Sequence, residues 1–242
     1  MIKISKRLKA VANYCPVGAI VVDVGSGHGK LPLYLCQAGV ASQVIAVELN
    51  TDPLTNIRRL VRPYADQVEV RAGNGLQPLC AEEMEVVCIA GLSALIMTQI
   101  LEAATAKLTM TTRLILQPTR HPQVVRQWLL DNGWELVEEQ MVEEKSRRKP
   151  KTHTILVAEQ GNPLNPYQTD RRLSVSDLIY LGPFLWRSRA TLLRYQVESE
   201  IGRWQKALCR FTTTISSVEK SDKRREQIEK HIGWLQSLLD QW

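Results

Sequence analysis

Residues 19–29 read AIVVDVGSGHG, an apolar run that passes directly into a turn containing three glycines. The run Ala19–Asp23 predicts a buried strand, because it is short, continuous and rich in Val and Ile. Glycines at positions 25, 27 and 29 let the backbone turn tightly and approach a ligand beside the first amides of the next helix. The spacing is GxGxG, whereas dinucleotide-binding turns read GxGxxG. The stretch therefore predicts a strand, a ligand-binding turn and a helix in succession.

The segments around this turn alternate between strand-like and helix-like patterns up to about residue 160. Four more short apolar runs predict strands at 43–48, 67–71, 85–90 and 112–117. Such runs suit strands buried on both faces of a parallel sheet, and the helical segments between them favour right-handed crossovers. A helix over 121–132 precedes two strand-like stretches, 134–142 and 152–159, which predict an antiparallel hairpin at the sheet edge. The expected fold class is α/β, with a Rossmann-like sheet of seven strands.

The pattern changes after the breaker-rich segment 161–166. Beyond it, apolar residues recur every three or four positions, which predicts an antiparallel α-helical coiled-coil hairpin with its reversal over residues 216–222. The two stripes are Leu193, Val197, Ile201, Trp204, Leu208 and Phe211, and then Ile228, Ile232, Leu235, Leu239 and Trp242. Trp204, Trp234 and Trp242 fall on or near the stripes, so we interpret them as packing residues and not as base-stacking platforms. The predicted domains are 1–161 and 162–242.

The composition is that of an ordinary globular protein, with 44% hydrophobic and 23% charged residues among 242. No apolar run has the length of a membrane span, and no apolar leader segment follows the basic start. The five cysteines lack metal-ligand spacing, which predicts free thiols and no metal site. We therefore expect a cytoplasmic protein without membrane contact. The patterns do not encode the oligomeric state, for which a monomer is the simplest expectation.

Positive charge is concentrated in the second predicted domain, within a formal net charge of +6 for the whole chain. From Asp170 onward, thirteen Lys and Arg residues stand against nine Asp and Glu residues, a surplus of four. A further basic cluster, 145–151, falls at the predicted tip of the edge hairpin, where a solvated tip is more common than a binding patch. The surplus permits a polyanionic partner through counter-ion release but does not demonstrate one.

Four successive predicted strands end in residues suited to a ligand. These residues are Asp23, then Glu48, then Asn74 and Gly75, and then Ala90 and Gly91. Open α/β sheets bind ligands at the carboxyl ends of their strands, and an acidic residue after the second strand accepts ribose hydroxyls. The set predicts a site for a nucleoside-type ligand, although each turn alone is also compatible with a plain connection.

The loop 117–122, QPTRHP, follows the fifth predicted strand. One interpretation is that it lines a substrate entrance, with Arg120 and His121 near phosphate. The other is a proline-punctuated connection before a helix. The residues alone leave both open. No Ser/His/Asp or Cys/His arrangement for a nucleophile is legible in the chain.

Motifs typical of one protein family are spread over nearly the whole chain. They are ISKRL at 4–8, DVGS at 23–26 with His28, NGL at 74–76, IAG at 89–91, RLILQP at 113–118, NGW at 132–134, ILVAE at 155–159 and GPFL at 182–185. With these motifs the chain resembles the bacterial tRNA (adenine-22-N1)-methyltransferases of TrmK type. The resemblance implies methyl transfer from S-adenosylmethionine to N1 of an adenosine in the D-arm of tRNA. It also implies a C-terminal hairpin that contributes to tRNA binding.

The resemblance and the strand-end positions together give the candidate residues. Those expected to bind the cofactor are Asp23, Gly25, Ser26, Gly27, His28, Glu48, Leu49, Asn74, Gly75 and Ala90. Those expected on the substrate side are Gly91, Leu92, Ser93, Gln117 and Pro118. Those expected to contact tRNA are Lys6, Arg7, Arg120, Arg194, Arg203, Lys206 and Arg210.

Two loops differ in sequence from those usual in the family. The first glycine is followed by SGHGK at 26–30, where members usually read SDHAY, and the fourth-strand loop reads AGLSA at 90–94, where they usually read AGMGG. The second change removes two glycines where close approach to the target base is expected. Two alternatives therefore stay open beside a tRNA methyltransferase. One is a methyltransferase of a small molecule, and the other is a catalytically impaired RNA-binding relative.

Overall fold

The structure is a computed structural model that describes residues 1–145, 150–168, 170–211 and 218–242, without the side chains of 210, 211 and 218–222. Its internal contacts divide it into two units, Met1–Thr169 and Asp170–Trp242. This division falls later than the boundary expected at Gly161. Residues Asn165–Tyr167 form a 3-10 turn against the last part of the sheet, and the Tyr167 side chain is buried. The proline-rich segment therefore packs with the first unit.

The first unit contains the predicted seven-stranded sheet. Its strands are β1 Ile20–Val24, β2 Gln43–Glu48, β3 Val68–Ala72, β4 Val86–Ala90, β5 Arg113–Gln117, β6 Trp134–Glu144 and β7 Lys151–Gln160. Their order across the sheet is β3-β2-β1-β4-β5-β7-β6. The first five strands are parallel, and β7 pairs antiparallel with both β5 and β6. The α/β fold and the edge hairpin are thus confirmed. Residues 146–149 of the basic cluster lie outside the described part of the chain.

Among the described residues of the first unit, five helices of eight residues or more accompany the sheet. They are α1 Lys6–Asn13, α2 Lys30–Gln37, α3 Thr51–Val61, α4 Ala94–Glu102 and α5 Pro122–Asp131. The central strands are almost completely buried, as the continuous apolar runs predict. Strand β1 lies between β2 and β4, so the strand order reverses beside it. The crevice for a ligand in such a sheet opens at this reversal, outside the carboxyl ends of the strands.

The second unit is helical, with α6 Val175–Leu181, α7 Pro183–Arg187, α8 Thr191–Phe211 and α9 Val218–Asp240. Arg189, just before α8, contacts the carbonyl of Gln241, while Glu200 contacts His231. Early residues of one arm thus meet late residues of the other, and the predicted antiparallel hairpin is confirmed. In the described part of the chain, no helix is long and apolar enough to cross a membrane.

Two details of the predicted hairpin are wrong. The reversal was expected to extend to Asp222, but α9 already begins at Val218, while 212–217 lie outside the described residues. The second stripe was expected to continue through Leu239, yet Leu238 is the more deeply buried neighbour. Steps of three and four both fit an α-helix, so the sequence does not choose between the two leucines.

Candidate functional site

A cavity of about 410 Å³ opens at the carboxyl ends of β1 and β4. Seven of its lining residues are predicted cofactor or substrate-side residues, namely Asp23, Gly25, Ser26, Gly27, His28, Ala90 and Gly91. They come from two strands that are neighbours in the sheet but more than sixty positions apart in the chain. Parallel pairing in register brings Asp23 beside Cys88, so the loops that follow β1 and β4 face the same space.

Asp23 supplies a buried carboxylate to this cavity, with only 4% of the residue exposed. Burial raises the pKa of the Asp23 carboxyl to about 6, although the positive charge of Arg7 acts against that rise. A carboxylate kept from water in this way is destabilised until a cation approaches it. The position therefore suits a ligand that carries a positive charge.

The glycine turn between β1 and α2 is closed by its own hydrogen bonds. The Ser26 hydroxyl donates to the carbonyl of Asp23 at 2.8 Å, and the Gly29 amide donates to the carbonyl of Ser26 at 2.9 Å. Gly25 has φ +70, and the Leu92 side chain lies 3.5 Å from where its Cβ would stand. A side chain at position 25 would thus be strained by the backbone, while its Cβ would be in ordinary contact with Leu92.

Glu48 at the end of β2 shapes the same turn from its far side. Its Oε2 accepts the amide of Gly27 at 2.9 Å, and its Oε1 accepts the amides of Leu49 and Asn50, both at 3.0 Å. The carboxylate is buried, whereas Leu49 is 62% exposed. These hydrogen bonds fix the Glu48 side chain in place, and they leave acceptor capacity on Oε2 for a hydroxyl group.

Asn74 and Gly75 are not among the described residues that line the cavity of Asp23. A second cavity of about 160 Å³ lies between the loop after β3 and helix α4, where Asn74, Ile96 and Gln99 contribute to its lining. Asn74 and Asp23 thus line different cavities. The role of Asn74 and Gly75 in binding the far end of a long cofactor stays a prediction.

Arg7 is the residue whose place the sequence did not indicate. It was expected at an RNA surface, but it lines the cavity of Asp23. Its Nη1 donates to Oε1 of Gln117 at 2.6 Å, and its backbone amide donates to Oε1 of Glu144 at 2.7 Å. The Nη1 atom also lies 3.4 Å from where a Cβ of Gly91 would stand. Helix α1 thereby places a guanidinium at the substrate-side loop.

The substrate-side candidates form one connected group around the ends of β4 and β5. Gln117 is fully buried, and its Nε2 donates to the carbonyl of Pro118 at 2.7 Å. The Gly91 amide donates to the Gln117 carbonyl at 2.9 Å, while Ser93 caps α4 by accepting the Ile96 amide at 3.3 Å. The two residues that depart from the family's usual sequence therefore have structural roles. The Leu92 side chain covers Gly25, and Ser93 caps α4.

Comparison with known proteins identifies the family. The family model described as tRNA (adenine(22)-N(1))-methyltransferase, TrmK, matches residues 21–237. The chain belongs to this family. It is 32% identical over 241 residues to the tRNA (adenine(22)-N(1))-methyltransferase of Bacillus subtilis strain 168, covering 99% of this chain and 98% of that protein.

Solved structures of family members have the same fold. The crystal structure of Bacillus subtilis TrmK superposes with a TM-score of 0.87 at 30% identity, covering 98% of this chain and 99% of that one. The structure of Streptococcus pneumoniae Sp1610 in complex with S-adenosyl-L-methionine gives a TM-score of 0.77 at 30% identity, covering 98% and 100%. Both likenesses extend over the two units, which agrees with the full-length resemblance seen in the motifs.

The other candidates for tRNA contact in this TrmK family member are dispersed. Lys6 and Arg120 are exposed on the first unit. On α8, Arg194 pairs with Glu198 at 2.9 Å, Arg203 lies 3.6 Å from Glu200, and Lys206 is exposed. The side chain of Arg210 lies outside the described residues. His121, the neighbour of Arg120, has φ 56 at the start of α5. Among the described side chains, these candidates do not contact one another, so the structure does not single out any of them as a tRNA-binding residue.

Proposed function

We propose that this chain transfers the methyl group of S-adenosylmethionine to N1 of adenosine 22 in tRNA. The observation that carries the proposal is the buried Asp23 carboxylate, which faces a cavity beside the glycine turn in a member of the tRNA (adenine(22)-N(1))-methyltransferase family. A cofactor whose amino-acid end carries an ammonium group matches that carboxylate.

The residues present fit this cofactor at three of its groups. Asp23 would accept hydrogen bonds from its ammonium, in a place where burial strengthens the attraction. Arg7, in the same cavity, would pair with its carboxylate. Glu48, held by the amides of Gly27 and Leu49, would accept a ribose hydroxyl. The zwitterionic end and the ribose would thus each meet a fixed partner.

The bound cofactor supplies an electrophilic methyl group on a sulfonium. Adenine N1 carries a lone pair, so its attack would form the N1–C bond as the S–C bond breaks, and the positive charge would pass to the base without a proton transfer. The chain's part is to position the groups and to exclude water. Gly91 lines the cavity beside Arg7, and the Leu92 side chain lies beside Gly25. The buried amide of Gln117 fixes the Arg7 guanidinium through its 2.6 Å hydrogen bond.

The target base must also leave any stack or pair, because its N1 lies on the Watson–Crick edge. Extruding a base costs a few kcal/mol. Contacts between basic residues and tRNA phosphates would offset that cost, and the second unit, with its surplus of four positive charges, is the proposed source of such contacts. We further propose that the protein acts as a monomer in the cytoplasm. Sedimentation of the protein with one equivalent of tRNA would test the monomer through the mass of the complex.

Incubation with labelled S-adenosylmethionine and total bacterial tRNA, followed by nucleoside analysis, tests the proposal. We expect label in 1-methyladenosine. Cofactor binding without any labelled nucleoside would favour a methyltransferase of a small molecule. Binding of tRNA without cofactor binding would favour the catalytically impaired RNA-binding relative.

A further inference from the structure

A third cavity lies wholly on the helical hairpin, between α8 and α9. It has about 450 Å³ and is lined by Trp204, Lys223, Arg224, Gln227, Ile228 and His231. We call it the hairpin pocket. Its lining combines an aromatic ring, an aliphatic side chain, an amide and two cations within one opening.

Trp204 departs from the behaviour of the stripe to which it belongs. Leu193, Val197 and Ile201 of the same stripe are buried, whereas 36% of Trp204 is exposed. The interpretation of Trp204 as an ordinary packing residue is therefore only partly right. Its ring meets the ring of His231 edge to face, with 5.3 Å between their centroids, and its Nε1 is 3.4 Å from Oε1 of Glu200. The indole is held on one side and open to solvent on the other.

The charges around the hairpin pocket favour a polyanion. Lys223 and Arg224 follow one another at its rim, and both are exposed. Glu200, the carboxylate that contacts Trp204, is already shared with His231 and Arg203. Aromatic rings beside cations are the arrangement by which proteins hold unpaired nucleotides, since a base stacks on the ring while cations contact the phosphate.

We propose that the hairpin pocket takes one unpaired nucleotide of the bound tRNA. The base stacks on Trp204 over the buried Ile228, Gln227 offers an amide to the edge of the base, and Lys223 and Arg224 contact its phosphate. This inference rests on the proposed function, because it takes tRNA as the substrate. It adds a specific point of contact to a surface otherwise described only by its net charge.

The test measures the dissociation constant of total bacterial tRNA for the full-length protein by filter binding. Trp204→Ala should raise the dissociation constant about tenfold, and Trp204→Phe should restore most of the affinity, because a phenyl ring still stacks. Tyr195→Ala is the matched control, since Tyr195 is also an aromatic residue of α8 and is 65% exposed but does not line the pocket. It should leave the affinity unchanged.

Salt dependence separates stacking from phosphate contact. The double variant Lys223→Ala/Arg224→Ala should reduce the slope of log K against log salt by about 1 for each phosphate that the protein no longer neutralises. Trp204→Ala should weaken binding without changing that slope. Arg225→Ala is the control, because Arg225 is the next cation along α9 and pairs with Glu229 at 2.9 Å outside the pocket. Calorimetry with S-adenosylmethionine should give the wild-type affinity for every variant, which shows that the first unit is intact.

Equal tRNA affinity in Trp204→Ala and Tyr195→Ala, together with an unchanged salt slope in the double variant, would overturn the inference. Failure of the proposed function would look different. In that case the wild-type protein would form no 1-methyladenosine, whatever the hairpin variants do to binding.

Discussion

The cavity of Asp23 and the hairpin pocket differ first in exposure. Asp23 is 4% exposed, and burial raises the pKa of its carboxyl. Trp204 is 36% exposed and has exposed cations beside it. A buried carboxylate attracts one cation strongly at short range, since the surrounding protein screens poorly. Exposed cations act on phosphates through counter-ion release, which depends on salt. Cofactor affinity should therefore follow pH more than salt, and tRNA affinity should follow salt more than pH.

Removing the second unit should have the largest effect and should separate the two regions. A chain ending at Thr169 keeps the whole sheet and the buried Tyr167, so we expect cofactor affinity within about twofold of wild type. Its tRNA affinity should fall by about 100-fold, because it loses the surplus of four positive charges. Calorimetry and filter binding measure the two affinities. Normal methylation of tRNA by the shortened chain would show that the hairpin does not bind substrate.

Asp23→Ala should produce the next largest effect, and on the cofactor alone. Loss of the buried carboxylate should raise the cofactor dissociation constant by more than about tenfold, or about 1.4 kcal/mol. Asp66→Ala, at an exposed position away from the cavity, is the control and should change nothing. Unchanged calorimetric affinity in the double variant Asp23→Ala/Glu48→Ala would contradict the site.

The strands that are marked by a continuous apolar run could be predicted from the sequence. Strand β2 matches its predicted bounds, because a continuous apolar run marks a strand covered on both faces. The expectation for β1 was one residue early at each end, since Val24 still pairs with Ile89 before the glycine turn begins. Asp23, Ser26 and Ala90 were correctly brought to one cavity, because strands of a parallel sheet end at the same edge.

The remainder depends on contacts that no local pattern contains. The hydrogen bond of Arg7 with Gln117 joins residues 110 apart in the chain, and that of Arg7 with Glu144 joins residues 137 apart. A basic residue near the start of a chain looks like a surface residue until helix α1 is placed. The exposure of Trp204 was missed for a related reason, since apolar spacing gives the face of a helix but not how far along the hairpin that face stays covered.

The pH dependence of cofactor binding should be of intermediate size. The pKa of Asp23 is raised to about 6, so the carboxylate is ionised above pH 6 and becomes protonated as the pH falls through that value. Between pH 7 and pH 5 the dissociation constant should rise about tenfold, and Asp23→Asn should abolish this change. The ligand-free protein should become more stable over the same range, because its folded state binds the proton more tightly than its unfolded state. A flat calorimetric profile for wild type would contradict the assignment.

The smallest effect is expected from the loop after β4. Replacing Leu92, Ser93 and Ala94 by Met, Gly and Gly should raise kcat a few-fold, because it frees the backbone beside the target base. The tRNA affinity should not change, since the hairpin is untouched. The melting temperature should fall slightly, because Ser93 caps α4 and a glycine at the first helical position costs up to about 1 kcal/mol. Equal kcat in the two proteins would show that the departure is neutral for turnover.

The most direct test of the account is to map the modified nucleotide. A single bacterial tRNA with adenosine at position 22 is incubated with the protein and S-adenosylmethionine and then copied by reverse transcriptase. A methyl group on N1 blocks the Watson–Crick edge, so the account predicts a stop at position 22 that requires the cofactor. The stop should disappear when guanosine replaces that adenosine or when Asp23→Ala replaces the wild type at low cofactor concentration. A cofactor-dependent stop at another position, or full-length copying after labelled methyl has entered the tRNA, would contradict it.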